Sequence, residues 1–451
     1  MKIKLKNIGS IKQAEFELGE LTIICGHNNT GKTYATYALF GFLENWQELI
    51  KIEIEDNIIE NLVDNGSINI ELTDYIQKIP EFLKIASTHY SKNLYQIFAS
   101  SKTYFSKSTF EISLTELPTL NKNKYKKEVG SNNSEFLILL KEKDNTTLTI
   151  SLLNINKSEQ LPYFVIKKII ADSITDIIFS DVFSDVFISS AERTGAAIFA
   201  NELDFSRNKL LKEIGRDSGN NQDIQRLLHK TSQSDYALPV EKNVEFIRQL
   251  KSLFKQQSFI QEKHPEILTE FHQIIGGEYM VDNNNQLHFK PNNSKIKLTM
   301  DESSSSVRSL LDIGFYLRHI AEKGDLLIVD EPELNLHPIN QRRVARLFAH
   351  LINIGIRVFI TTHSDYIVKE LNTLIMLNDK EDYIKKIMEA EGYQSNELLL
   401  AKQVKVYIAK EDPNQTLVAT NINDKLGIEM PSFDDTINKM NQIQEAIIWG
   451  D

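Results

Sequence analysis

The feature that most narrows what this chain can fold into is Gly26-His27-Asn28-Asn29-Thr30-Gly31-Lys32-Thr33, a G-x-x-x-x-G-K-T loop set between an apolar run and a helical pattern. Leu21-Thr22-Ile23-Ile24-Cys25 reads as a buried strand, and Ala35, Ala38, Leu39, Phe42 and Leu43 recur at the spacing of a helix packed on a sheet. Strand, glycine-bounded loop and helix in that order turn consecutive backbone N–H groups and the positive end of a helix dipole toward a phosphate. Asn28, Asn29, Thr30 and Gly31 are expected to line the phosphates, Lys32 to reach the β- and γ-phosphates, and the Thr33 hydroxyl to ligate Mg²⁺. The pattern implies a site for a nucleoside triphosphate.

At 451 residues the length allows about three domains, and a hydrophobic fraction of 41% is ordinary for a protein with a sizeable core. The net charge of -11 argues against broad, nonspecific coating of nucleic acid, although a local basic surface fits within an acidic total. Lys122, Lys124, Lys126 and Lys127 form the clearest basic cluster and read as a solvated loop. Cys25 is the single cysteine, so an internal disulfide is excluded, and its place in the strand before the loop suits burial. Met1-Lys2-Ile3-Lys4-Leu5-Lys6 alternates like a strand, with no signal-peptide core. No run approaches the roughly 18 apolar residues of a membrane span. A cytoplasmic protein with no membrane partner is expected.

Ile3 and Leu5, then Ala14, Phe16 and Leu18, alternate across a turn at 7–10 and predict a β-hairpin. Strand-like runs at 110–114, 136–140 and 147–153 lie among short helical patterns. The expected organisation is an N-terminal part with the P-loop at 1–50, an inserted α+β lobe at 51–160 and a return to the first domain at 161–200. A helical insertion follows at 201–275, and a C-terminal part at 276–451. In the helical insertion Val244, Ile247, Leu250, Leu253 and Phe254 share one face, and Tyr279 to Val281 with Leu287 to Phe289 flank Asn283-Asn284-Asn285 as a second hairpin. The tandem Ser180-Asp181-Val182-Phe183 and Ser184-Asp185-Val186-Phe187 is a local duplication without evident chemistry.

Leu326-Leu327-Ile328-Val329-Asp330-Glu331 is a continuous apolar run ending in two carboxylates, the pattern of a buried parallel strand whose carboxyl end faces the nucleotide. It reads as a Walker B strand. Asp330 is expected to orient Mg²⁺, and Glu331 to polarise the water that attacks the γ-phosphate. Arg357-Val358-Phe359-Ile360-Thr361-Thr362-His363-Ser364 is a second such strand and makes His363 a candidate γ-phosphate sensor. Asp301-Glu302-Ser303-Ser304-Ser305-Ser306 precedes a helical stripe of Val307, Leu310, Leu311, Gly314 and Phe315, so hydroxyls and free N–H groups gather at a helix start shortly before the Walker B strand.

Taken together, the P-loop, serine-rich helix, Asp-Glu strand, the turn Glu333-Leu334-Asn335-Leu336-His337-Pro338 and the Thr-His-Ser strand end resemble an ABC-type ATPase head. The opening Lys6-Asn7-Ile8-Gly9-Ser10-Ile11 and the run from Asp330 to Pro338 are similar to the SMC, RecF and OLD-like branch, and Ser190-Ala191-Glu192-Arg193-Thr194-Gly195 is a weaker match to a segment of OLD-like ATPases. The resemblance implies an α/β fold: an ABC-type P-loop ATPase head with an antiparallel β subdomain and a helical insertion. It implies ATP and Mg²⁺ as cofactors, and a composite site in which Ser304, Ser305 and Ser306 contact the γ-phosphate held by the opposite protomer, so the chain is expected to be a homodimer or higher oligomer. Ser306 stands where the family signature has glycine, and no glutamine is assigned as the Q-loop ligand. Asn335 and His337 are read either as crossing the dimer interface or as a structural turn capped by Pro338.

The interval of roughly 300 residues between P-loop and Walker B argues against a transporter head, and the absence of long heptad arms against a chromosome-condensing arm protein. The turn and strand end are similar to those of ATPases in bacterial anti-phage systems such as Septu, PARIS and retron-associated cassettes. Only about 90 residues follow the His363 strand, too few for a fused TOPRIM domain. The expected function is therefore an ATPase subunit that senses a phage-derived trigger and controls a separate effector, an HNH or TOPRIM nuclease. The alternative is a RecF-like repair ATPase that binds DNA directly.

Overall fold

The computed structural model describes residues 1–119, 124–131, 134–153, 162–198, 236–282, 286–379, 381–410, 416–429 and 433–449. Strands β1 (Lys2–Ile8) and β2 (Ile11–Glu17) form the expected antiparallel hairpin, with Ile8 opposite Ile11. Their alternation puts Ile3, Leu5, Ala14 and Phe16 in the core. After β3 (Leu21–Gly26) the chain enters the helix Lys32–Glu44, then β4 (Ser67–Glu71) and the helix Ile79–Ile97.

Strand β5 (Thr109–Ser113) returns to pair with β1, so the opening hairpin becomes a three-stranded sheet in the order β2-β1-β5. Its outer edge is covered by Ile79–Ile97, where the Ser91 and Ser87 hydroxyls accept the N–H groups of Phe110 and Ile112. The helix thereby replaces the partner strand that an edge would otherwise seek. Strands β6 (Tyr125–Ser131), β7 (Ser134–Lys141) and β8 (Thr147–Leu152) join β4 in a separate antiparallel sheet ordered β4-β8-β7-β6.

The central sheet is assembled from distant segments: β9 (Val186–Ser189), β12 (Leu326–Asp330), β13 (Arg357–Thr362), β14 (Val404–Ala409) and β15 (Leu417–Ala419) join β3 in the order β15-β14-β3-β13-β12-β9. All neighbours are parallel except β15, which is antiparallel to β14. Both faces are buried, as continuous apolar runs require. Ile24, Ile328 and Phe359 face the layer containing the helix Lys32–Glu44 and the β2-β1-β5 sheet. Ile23, Leu327, Val329 and Ile360 face the other layer, which holds the helices Pro338–Asn353 and Asp365–Met376. Cys25 lies in that second layer, and burial pushes its thiol up to about 12, so it is an inert core residue.

The second hairpin is β10 (Gly277–Val281) with β11 (Leu287–Pro291); its Asn283-Asn284-Asn285 turn lies outside the described residues. Lys122 and residues 201–235 of the helical insertion lie outside them as well, while Leu238–Leu253 is helical and buries Val244, Phe246 and Leu250. The single helix expected after the serine run is instead broken: Ser305–Ser309 stops at Leu310, and Leu311–Phe315 restarts. The Asp312 carboxylate accepts the Ile313 N–H at 2.8 Å, a local bond that competes with a continuous helix. Among the described residues no helix is long and apolar enough to cross a membrane.

Candidate nucleotide site

Parallel registry brings the carboxyl ends of five strands to one edge: Gly26 lies opposite Ala409, Cys25 opposite Thr362, Asp330 opposite Thr361, and Val329 opposite Ser189. This is the edge at which open α/β sheets bind ligands. The loop leaving β3 has Gly26, Asn29 and Gly31 at φ 146°, 65° and 93°. A Cβ on Gly31 would sit 2.6 Å from Ile11 Cγ1, and one on Gly26 would sit 2.6 Å from the Ala409 carbonyl oxygen, so both positions require glycine. Asn28 and Asn29 are exposed, and the Thr30 hydroxyl donates to the His27 carbonyl at 2.8 Å. Lys32 opens the helix, and its Nζ donates to the loop's own Gly26 and His27 carbonyls at 3.0 and 2.8 Å. Burial lowers the pKa of Lys32, while Glu331, Asp330 and Glu333 act in the opposite direction.

Asp330 is fully buried at the end of β12. The Thr361 hydroxyl donates to its Oδ1, and Oδ2 has no hydrogen-bond partner. Burial raises its pKa to about 6. Glu331 follows at φ 53°, a left-handed conformation uncommon for a side chain of this size. His363 Nδ1 lies 3.6 Å from Glu331 Oε1 and 3.1 Å from Glu333 Oε1, and the His363 backbone N–H donates to Glu333 Oε1 at 2.8 Å. The His363 contact holds Glu331 below the usual carboxylate range, and the same contact raises His363. Lys32, Asp330, Glu331 and His363 therefore share one electrostatic cluster.

Ser304, Ser305 and Ser306 stand apart from that cluster. Ser304 caps its helix by accepting the Val307 N–H, and its hydroxyl lies 2.9 Å from that of Ser306. Among the described residues no hydrogen bond joins these three serines to the P-loop of the same chain. Ser304 and Ser305 are exposed. Asn335, at φ 60°, and His337, which caps the helix Pro338–Asn353, are exposed on the turn beyond Glu331.

Three contributors escaped the sequence reading. Glu333 is buried beneath His363, with Oε2 unpartnered. Thr361 anchors Asp330. Arg193, only 1% exposed, sends every part of its guanidinium to main-chain carbonyls, those of Ser190, Asp330 and Glu331 at the same sheet edge and that of Ser309 at the end of the helix Ser305–Ser309. The available signal was the Ser190–Gly195 segment that resembles OLD-like ATPases, which contains Arg193 but names no partner for it. The donor set suits Mg²⁺: one hydroxyl, Thr33, and one buried carboxylate, Asp330, with an unpartnered oxygen. Among the described residues no group of three or more His, Cys, Asp or Glu is placed to hold a metal ion.

The profile of a family described as AAA ATPase domain, AAA_15, matches residues 1–368. Among solved structures, the SMC head bound to the C-winged helix domain of ScpA is similar at 11% identity and a TM-score of 0.34, covering 93% of this chain and 97% of that one. The SMC head domain from Thermotoga maritima is 10% identical at a TM-score of 0.30, covering 94% of this chain and 98% of that one. The SMC head domain with an extended coiled coil bound to the C-terminal domain of ScpA derived from Pyrococcus furiosus is 12% identical at 0.30, covering 98% of each chain. No curated protein matches the chain.

Proposed function

Since the chain belongs to the AAA ATPase domain family and has an α/β P-loop fold, we propose that it binds ATP with Mg²⁺ and hydrolyses it to ADP and phosphate. The observation that carries this reading is the convergence of Lys32, Asp330, Glu331 and His363 on one sheet edge. With ATP in the loop, the Lys32 ammonium leaves the loop carbonyls for the β- and γ-phosphates, and the backbone N–H groups of residues 29–33 face their oxygens. Thr33 and Asp330 would hold Mg²⁺, which neutralises charge on the phosphates. Glu331, kept ionised by His363, accepts a proton from the attacking water as its oxygen bonds to the γ-phosphorus, while the bond to the β-phosphate oxygen breaks and ADP leaves. His363 then faces the γ-phosphate with its second ring nitrogen.

The active form is a dimer or higher oligomer in which Ser304, Ser305 and Ser306 of one protomer reach the γ-phosphate of the other. The exposure of Ser304 and Ser305 supports this arrangement. The biological role is anti-phage defence: the ATPase senses a phage-derived trigger and controls a separate effector, an HNH or TOPRIM nuclease. The resemblance of the 330–338 and 361–364 segments to ATPases of such systems supports it. Lys32→Ala tests the whole reading. It should abolish ATP turnover and phage protection together, and protection that survives it would refute the role.

A further inference from the structure

We infer that Arg193 is a positioning residue that ties the seating of the signature helix Ser305–Ser309 to the placement of Glu331; this rests on the proposed ATPase reading. The guanidinium offers five N–H donors in a rigid plane. Nε donates to the Ser309 carbonyl at 2.7 Å, Nη1 to the Ser190 and Asp330 carbonyls at 2.9 and 2.7 Å, and Nη2 to the Glu331 carbonyl at 2.8 Å. One side chain thus grips the end of the signature helix and the main chain of both Walker B carboxylates. The Ser309 hydroxyl adds a second strap, donating to the carbonyls of Ser306 at 3.0 Å and Leu334 at 3.2 Å. The residue just before Arg193 reaches the P-loop helix, where the Tyr37 hydroxyl donates to Glu192 at 2.6 Å.

A fully buried arginine is a poor way to stabilise a core, because desolvating the charge offsets much of what its bonds contribute. Its geometry suits a different task. Glu331 holds a left-handed φ of 53°, which persists only where the surroundings fix it, and Arg193 bonds its carbonyl directly. A planar group already bonded on three sides cannot stretch, so a shift of the signature helix must either break a bond to Arg193 or move the Glu331 backbone with it. In the composite dimer the serines act on the partner's nucleotide and Glu331 on its own. Arg193 therefore makes chemistry in one site depend on engagement in the other.

A double-mutant cycle on the full chain tests this, with Arg193→Lys and Ser305→Ala, reading kcat, affinity for a fluorescent ATP analogue and thermal melting. Arg193→Lys should bind the analogue within about twofold of the parent and lose about 10- to 100-fold in kcat, the scale of a misplaced catalytic group. The double variant should be no slower than the slower single one. If Arg193→Lys does not fold, Arg193→Gln, which likewise removes the planar set of bonds to the four carbonyls, carries the same cycle. Multiplying losses, or parallel falls in affinity, melting temperature and kcat, would overturn the inference while leaving the ATPase reading intact. An inactive parent would bring down both.

Discussion

Asp330 and Thr361 face each other on neighbouring parallel strands, and the threonine hydroxyl donates to Oδ1 of the carboxylate while Oδ2, buried with it, has no partner. At neutral pH this aspartate is ionised against the pull of a desolvated site that raises its pKa to about 6. Without an incoming cation, that ionisation opposes folding. Asp330→Asn keeps the acceptor for Thr361 and removes the charge. We expect the nucleotide-free variant to be more stable than the parent at pH 8 by about 1 kcal/mol, and Mg²⁺-dependent ATP turnover to fall at least about 100-fold. Thermal melting and a phosphate-release assay check the two halves of this trade-off.

Gly31→Ala should fail for reasons of space and backbone together. Its φ of 93° is strained for any L side chain, and the added methyl would meet Ile11 Cγ1 at 2.6 Å and Ser10 Oγ at 2.8 Å. The hairpin turn behind the P-loop cannot withdraw without disturbing the β1–β2 registry. A destabilisation of about 1–3 kcal/mol and loss of nucleotide binding are expected. Chemical denaturation and nucleotide titration measure them.

The segments around Gly31, Asp330 and His363 were legible because each is local: an apolar run long enough to be a buried strand, then polar residues at its carboxyl end. Their meeting follows from parallel packing at one sheet edge. What stayed hidden is non-local. Strand β5 pairs with β1 across about a hundred residues, and its alternation alone names no partner. Arg193 bonds only backbone carbonyls, which carry no side-chain pattern to read. Glu333 looks like one acid among several in a turn, and only the fold buries it under His363. The interruption at Leu310 depends on Asp312 turning to its neighbour's N–H, a choice that periodicity does not register.

Stability should fall as pH rises through the window between about 4 and 6 because of Asp325. Burial raises its pKa to about 6 in the native state, above the ordinary aspartate value of about 3.9, despite hydrogen bonds from the Glu322 N–H and the Tyr316 hydroxyl. Between those values the folded chain keeps a proton that the unfolded chain has lost, so ν_U is smaller than ν_N and the slope of unfolding free energy with pH is negative. The full effect, allowing for partial solvent screening, is about 1–2 kcal/mol. Asp330 contributes in the same direction, so the comparison must be between the parent and Asp325→Asn. The variant should show a flatter melting profile between pH 4 and 6. An unchanged slope would remove Asp325 as its source.

Glu331→Gln separates binding from chemistry. Its carboxylate sits 3.6 Å from His363 Nδ1, at the end of a strand whose neighbouring residues supply the magnesium and lysine contacts of the proposed site. The amide preserves size and can still accept a hydrogen bond, but it cannot take the proton of the attacking water. Turnover should fall about 100- to 1,000-fold, while ATP and Mg²⁺ still bind and hold the closed form. Because hydrolysis is what would reopen a nucleotide sandwich, the variant should accumulate as an ATP-dependent dimer or higher oligomer, measurable by light scattering coupled to size exclusion. Lys32→Ala in the same background should return it to the nucleotide-free state of association. A variant that hydrolyses at the parental rate would move the catalytic base away from Glu331. One that is slow yet never changes mass with ATP would refute the composite site and leave hydrolysis within a single protomer.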